Sequence, residues 1–171
     1  NDKEFNKVYQ NISMEELRER FKDVFDNGKD EIKYCNVEKC KIITQEGKKV
    51  VKKGQTIAQA LMRDTEMYIK GLENRKIIRM STSEWRNPIR ALRKPNGKIR
   101  LVSNLMCLND LVEKDHYELA TIRDVIRCTQ GSRYFTVIDL KEGFYSIEIE
   151  ESDKHKTAFE FNKKAYEWNS M

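Results

Sequence analysis

The stretch NPIRALRKPNGKIRLVSN, residues 87–104, constrains the fold of this chain more than any other. Ile89 and Ala91 alternate with polar residues before Pro95-Asn96-Gly97-Lys98, and Ile99 and Leu101 alternate after it. Asn-Gly between two alternating runs is a strong signal for an antiparallel hairpin. The hairpin is basic: Arg90, Arg93, Lys94, Lys98 and Arg100 occur with no acidic residue among them. Lys94 and Arg100 can project to one side, where an arginine fork and a lysine point charge suit a polyphosphate. A charged hairpin can equally be a solvated face that blunts a sheet edge.

Helices and strands are mixed around the hairpin without regular alternation, so the expected class is α+β. SMEELRERFKDVF carries Ser13 with Glu16 three residues on, a capping box opening an amphipathic helix along Met14, Leu17, Phe21, Val24 and Phe25. Residues 29–54 alternate weakly and predict strands or an extended arm. Thr56 is the expected cap of a second helix running to Glu73, with Ile57, Leu61, Met67, Ile69 and Leu72 as its buried stripe and Asn74 as a left-handed ending. Short helical turns are expected over 105–112 and 121–128. RYFTVIDL then reads as a strand, KEGFYSI as a helical turn, and KTAFEFNKKAYEWNS as a hairpin turning near Asn162–Lys164.

Composition limits the alternatives. A chain of 171 residues can bury a sizeable core, yet 36% of it is charged, so much of its surface must be solvated or meet a charged partner. The net charge of +5 is itself a weak pointer to nucleic acid. No apolar run approaches the ~20 residues of a membrane span, so no membrane partner is expected. Cys35 and Cys40 have no second ligand pair at zinc spacing, and reduced thiols in an intracellular protein are the expectation.

Asp139 follows the apolar run FTVI, and Phe144 lies five residues on. A carboxylate fixed at a strand end can bind Mg²⁺ beside a phosphate oxygen. Taken singly, Asp139 also suits a turn or a helix cap and Phe144 suits a core, while Lys156, Trp85 and Trp168 carry no separate message.

Order and spacing together add a resemblance. From LENRKIIRMSTSEWRNPIRALRKPNGKIRLVSN through HYELATIRDVI to YFTVIDLKEGFYSIEIEESDKHKTAFEF, the chain resembles the reverse transcriptases of LTR retrotransposons, most of all the gypsy type. The resemblance implies the fingers and first part of the palm of a right-hand polymerase, ending before the Tyr-X-Asp-Asp turn that brings the other catalytic carboxylates. Its implied subdivision is an arm over 1–55, fingers over 56–112, a first palm segment over 113–147 and a fingers return hairpin over 148–171.

It also implies roles. Asp139 would be the first catalytic aspartate, binding Mg²⁺ together with the backbone carbonyl of Leu140. Lys94 and Arg100 would hold the incoming triphosphate of a dNTP, and Phe144 would be the aromatic gate against a 2′-hydroxyl. Trp85, Asn87, Pro88 and Asn109 match positions that are structural or face the template. The implied partners are an RNA or DNA primer-template and dNTPs, in a cytoplasmic particle or the nucleus.

Two departures stand out: Asn104, Leu105 and Met106 replace Asp-Tyr-Arg, and Tyr117 to Ala120 lack both prolines of Tyr-Pro-Leu-Pro. One aspartate cannot hold two metal ions, so the chain alone is expected to be inactive. The competing expectations are a non-catalytic module that binds nucleic acid or enters a protein assembly, and a relic without present function.

Overall fold

The computed structural model describes residues 12–25, 28, 32, 34, 35, 37–114 and 117–171; His116 and parts of the expected arm lie outside them. The chain forms two units, Asn1–Glu31 and Ile32–Met171. In the first, α1 spans Met14–Arg20, and the expected capping box is present: the Ser13 hydroxyl accepts from Glu16 N, and the Glu16 carboxylate accepts from Ser13 N. The helix is shorter than its apolar spacing predicts. It gives way to turns over 21–25, and none of its side chains is buried.

The second unit is built on α2, Gln59–Asn74, and on two sheets. One is antiparallel with order β1 (Ile78–Met80), β5 (Lys164–Trp168), β4 (Phe159–Phe161). The other is the hairpin of β2 (Ile89–Arg93) and β3 (Ile99–Ser103). Short helices α3 (Met106–Asn109) and α4 (Ile122–Cys128) follow, then 3₁₀ turns at Gly143–Ser146 and Lys154–Thr157. The core joins Ile69 and Leu72 of α2 to Ile77, Ile78, Leu108, Ile149 and Phe159. The expected return hairpin is present. Asn162 and Lys163 both take positive φ, as a tight two-residue hairpin turn demands.

α2 departs from expectation at both ends. Thr56 does not cap it; the N-cap is Ala58. Ile57 packs against the core, and Gly54 passes so close to the hairpin that a Cβ there would meet Ile89 N at 3.3 Å. Those contacts keep the chain extended past Thr56. At the other end Asn74 stays helical, and the left-handed residue is Lys76, φ 59°. Ile77 N donates to Leu72 O and Lys76 N to Glu73 O, both at 2.9 Å. This is a Schellman ending, with Leu72 and Ile77 both in the core. The buried stripe is Thr65, Ile69 and Leu72, whereas Met67 lies about 200° around the helix from Thr65 and is exposed.

Lys156, unremarkable in sequence, is structural. Asp153 Oδ2 accepts from Ile42 N at 2.9 Å, Lys156 Nζ donates to Ile42 O at 2.7 Å, and Lys156 pairs with Asp153 Oδ1 at 2.7 Å. Both backbone groups of one arm residue are thus held by two side chains more than a hundred positions away. Beside them, Cys40 bridges Ile149 in parallel. The extended arm is therefore fixed in place by sparse, specific bonds rather than by a continuous strand.

Burial opposes the charged form of Asp153, but the Lys156 ammonium and the Ile42 amide more than offset it and hold the carboxyl below its usual range. Arg79 and Lys154 likewise draw Glu151 down to about 2. Because these folded-state values lie below those of the unfolded chain (about 4), their contribution is present above that pH and is lost as pH falls through the depressed values. Denaturant unfolding at neutral pH and at pH 3 should give a clearly lower midpoint in acid. Asp153→Ala should lower stability by about 3 kcal/mol at neutral pH by stranding the Lys156 ammonium and the Ile42 amide. It should also flatten part of the acid dependence.

Candidate nucleic-acid and nucleotide site

The basic hairpin has two unlike faces. Its register pairs Leu92 with Arg100 and Arg93 with Ile99. Lys94 N donates to Lys98 O at 2.8 Å, which extends the ladder to the turn. Ile89, Ile99 and Leu101 therefore face inward and are buried. Arg90, Leu92, Lys94, Lys98 and Arg100 share the outward face and are exposed. Lys94 and Arg100 do stand on one side, as expected.

The turn differs in detail from an Asn-Gly two-residue turn. Gly97 N donates to Lys94 O at 2.9 Å, so Pro95 and Asn96 are the central residues and Gly97, φ +80°, is the left-handed bulge after them. Among the described residues, Arg90, Lys98 and Arg100 make no ion pair. Arg93 is committed, to Asp64 Oδ2 at 2.7 Å and to Gly97 O at 2.9 Å.

The expected strand at 133–140 is not formed. Residues 133–140 have no ladder partner, and Val137 and Ile138 are 92% and 84% exposed. An apolar run on both faces needs strands beside it and cover above and below, and the described residues supply neither. Asp139 is accordingly exposed rather than fixed at a buried strand end.

Leu140 O accepts from Gly143 N at 3.3 Å, which closes a turn. Glu142 takes φ +50°, and the 3₁₀ turn follows. Gly143 packs closely here, and a Cβ would meet Leu140 Cβ at 3.1 Å. Phe144 is 86% exposed, which removes the core alternative. The core role falls to its neighbour: Tyr145 stacks on Trp168 with ring centroids 6.0 Å apart. Burial first, and then the neighbouring Tyr68 phenol, raise the Tyr145 phenol above its ordinary range.

One side of α2 holds both segments. Asp64 takes Arg93 of the hairpin, Tyr68 takes Tyr145, and Arg75 at the C-cap takes the Glu142 carboxylate in a forked pair. These positions are four and seven residues apart, so they align along the helix. The Arg75 hydrogen bond comes first in holding the Glu142 carboxyl below its usual range, against burial, with the cations Lys141 and then Lys94 adding to it.

Among the described residues no three His, Cys, Asp or Glu side chains gather to hold a metal ion. Asp139 and the Leu140 carbonyl do not by themselves fit a divalent cation, still less the pair that two-metal chemistry needs at ~3.5–4 Å.

Residues 92–171 match the family model described as reverse transcriptase (RNA-dependent DNA polymerase). Residues 92–171 belong to the reverse transcriptase family. Relatives extend the likeness. A retrovirus-related Pol polyprotein from transposon 297 of Drosophila melanogaster is 26% identical over 94% of the chain, and this match spans 16% of the relative's length. A transposon Tf2-3 polyprotein of Schizosaccharomyces pombe is 33% identical over 56% of the chain and 7% of the relative. The chain thus spans about a sixth or less of these relatives.

The fold agrees. Prototype foamy virus protease-reverse transcriptase superposes with a TM-score of 0.78 at 18% identity, over 92% of this chain and 21% of that one. The foamy viral enzyme in complex with an RNA/DNA hybrid gives 0.71 at 16% identity, over 94% and 22%. The α+β fold is that of reverse transcriptase fingers and the first part of the palm. Within that fold the Asp-Tyr-Arg departure has a structural outcome: Asn104 Oδ1 accepts from Met106 N at 3.1 Å and leads the chain into α3. An acceptor thus survives where the family has an acid.

Sequence reading missed the holds made by Asp64, Tyr68, Arg75 and Glu142. Their spacing along α2 was legible, but their partners lie far along the chain. Amide hydrogen exchange should separate the two segments: amides of 89–103 that bond across the hairpin should be protected, and those of 133–139 should exchange near the intrinsic rate. Protection of the latter would mean that the run is paired after all.

Proposed function

We propose that this chain is the fingers and first palm segment of a gypsy-type LTR retrotransposon reverse transcriptase. On this reading 56–112 and 148–171 serve as fingers and 113–147 as palm. In the intact protein the reaction is templated attack of a primer 3′-hydroxyl on a dNTP with release of pyrophosphate. The observation that carries the reading is the outward hairpin face, where Lys94, Lys98 and Arg100 present exposed cations that make no ion pair among the described residues. Lys94 and Arg100 grip the triphosphate, and exposed Phe144 offers a ring against which a deoxyribose can pack and a 2′-hydroxyl clash. Asp139 and the Leu140 carbonyl contribute one corner of a Mg²⁺ site, and no chemical step is assigned through a metal here. Foamy viral relatives in complex with double-stranded DNA and with an RNA/DNA hybrid support a primer-template partner.

A second reading is a non-catalytic nucleic-acid-binding module, and the missing acidic cluster among the described residues favours it for this polypeptide on its own. Two measurements distinguish the readings. Primer extension by the 171-residue polypeptide should be blank, and robust extension would overturn the incomplete-site reading. Binding to a primer-template duplex should weaken steeply with salt. Lys94→Ala and Arg100→Ala should each weaken it uniformly across sequences and lower the salt slope by about one. Unchanged binding in both variants would remove the hairpin from the interface and leave a protein-binding role.

A further inference from the structure

The run RYFTVID, residues 133–139, has an order of charged and apolar residues that the candidate site leaves unexplained. Among the described residues no backbone hydrogen bond involves 133–139, and neither Arg133 nor Asp139 makes an ion pair. Tyr134 is 92% exposed and Phe135 66%, so successive side chains are bare and both faces of a strand formed here would be open. A row of unpaired donors and acceptors flanked by uncovered apolar groups is a template for another strand.

Charge decides which strand fits. Reversed about Thr136, the run is its own antiparallel complement: Arg133 meets Asp139, Tyr134 meets Ile138, Phe135 meets Val137, and Thr136 meets Thr136. These are favourable cross-strand pairs: opposite charges, aromatic with β-branched residues, and threonine with threonine. The alternatives lose the match. A parallel pairing in register sets Arg133 on Arg133 and Asp139 on Asp139. An antiparallel slip of two residues sets Arg133 against Lys141 in one direction and against Val137 in the other. A slip of one residue sets both charges against uncharged side chains.

We propose that 133–139 is a self-association edge: the runs of two copies of this chain pair antiparallel about a two-fold axis at Thr136, with Arg133 of each copy on Asp139 of the other. A two-fold interface presents the same patch on both subunits, and a run complementary to its own reverse meets that condition without a second surface. Seven residues a side fall well short of the roughly 20–30 of a stable complex, and a two-stranded ribbon is marginal, so the dimer is weak and concentration-dependent. Pairing also engages Asp139, so the dimer withholds the carboxylate that the proposed function assigns to a metal. The pairing itself does not rest on that function.

The test is sedimentation velocity of the whole 171-residue chain from low to high micromolar concentration, where wild type should pass from monomer to dimer. Arg133→Asp and Asp139→Arg each set like charges at both ends of the ribbon and should weaken the dimer by about ten-fold or more. An equimolar mixture of these two variants should associate about as tightly as wild type, although each keeps a net positive charge. The double variant Arg133→Asp with Asp139→Arg should recover the homodimer. Both positions are exposed, so neither reversal should shift the melting temperature of dilute protein. Amide hydrogen exchange on concentrated wild type should protect alternate residues of 133–139, the pattern of a single paired edge, and dilution should remove that protection. A chain that stays monomeric at every concentration overturns the proposal and leaves the run to a different strand. Association that neither reversal weakens, or that neither the mixture nor the double variant restores, also overturns it, because another surface would then join the copies.

Discussion

The placement of the basic hairpin depends on Asn87. Its side chain is 2% exposed, and its Nδ2 donates to the carbonyls of Lys156 and Ala158 at 2.8 and 3.0 Å, while its own backbone N–H donates to Ala158 O at 2.7 Å. These bonds are the seam between two separate sheets: β2 begins two residues later, and β4 begins one residue after Ala158. Pro88 follows Asn87 and keeps it extended. A buried amide suits such a junction because it offers two donors at fixed angles to the carbonyls on either side of it. Trp168 Nε1, bonded to Ser103 Oγ at 3.1 Å, closes the other end of the seam. The orientation of Lys94 and Arg100 relative to the rest of the chain follows from these polar contacts as much as from the apolar core.

Two helices with the same capping chemistry play different parts. Ser13 with Glu16 and Thr121 with Asp124 form reciprocal caps, yet neither helix buries a side chain. Capping sets where a helix starts, not what it packs on. α2 has no side-chain cap at all and is the central beam of the larger unit. Its ending is fixed by the Schellman bonds and by Leu72 and Ile77 meeting in the core. Its polar face then reaches outward through Asp64, Tyr68 and Arg75. Helical stability there comes from tertiary contacts, as expected for a helix of this length in a folded domain.

What was legible in the sequence divides along the same line. Local signals were sound: both hairpins, the Ser13 box, the turn after Lys141, and the division of the basic hairpin into an apolar and a cationic face. Each depends on residues within a few positions of one another. Readings that depended on distant partners went astray. Thr56 has a capping side chain, but Ile57 is drawn into the core and the helix begins later. Lys156 looked like one more surface cation among many, since nothing in KHKT reveals that Ile42 will lie against it. Lys94, Arg100 and Phe144 are exposed, and Asp139 is exposed too, not held at the buried strand end that its sequence neighbours suggest.

The segment around Asp139 makes the reason explicit. A strand is not a property of seven residues but of their neighbours, because each backbone N–H and C=O needs a partner and each apolar side chain needs cover. Tyr134, Phe135, Val137, Ile138 and Leu140 have a composition that pays off only when buried on both faces, at roughly 25 cal/mol per Å². Left without ladder partners, the run is held only at its C-terminal end, by the Leu140–Gly143 turn, the Arg75–Glu142 pair and the Tyr145 stack. Those contacts anchor Phe144 and Glu142 but reach no further back than Leu140. The basic hairpin and the turn before Phe144 are thus each held by interactions internal to this chain, while Asp139 lies just beyond their hold. On the proposed function that boundary falls between binding and chemistry: the residues assigned to the triphosphate sit on an ordered hairpin, and the carboxylate assigned to a metal lies in an unpaired segment.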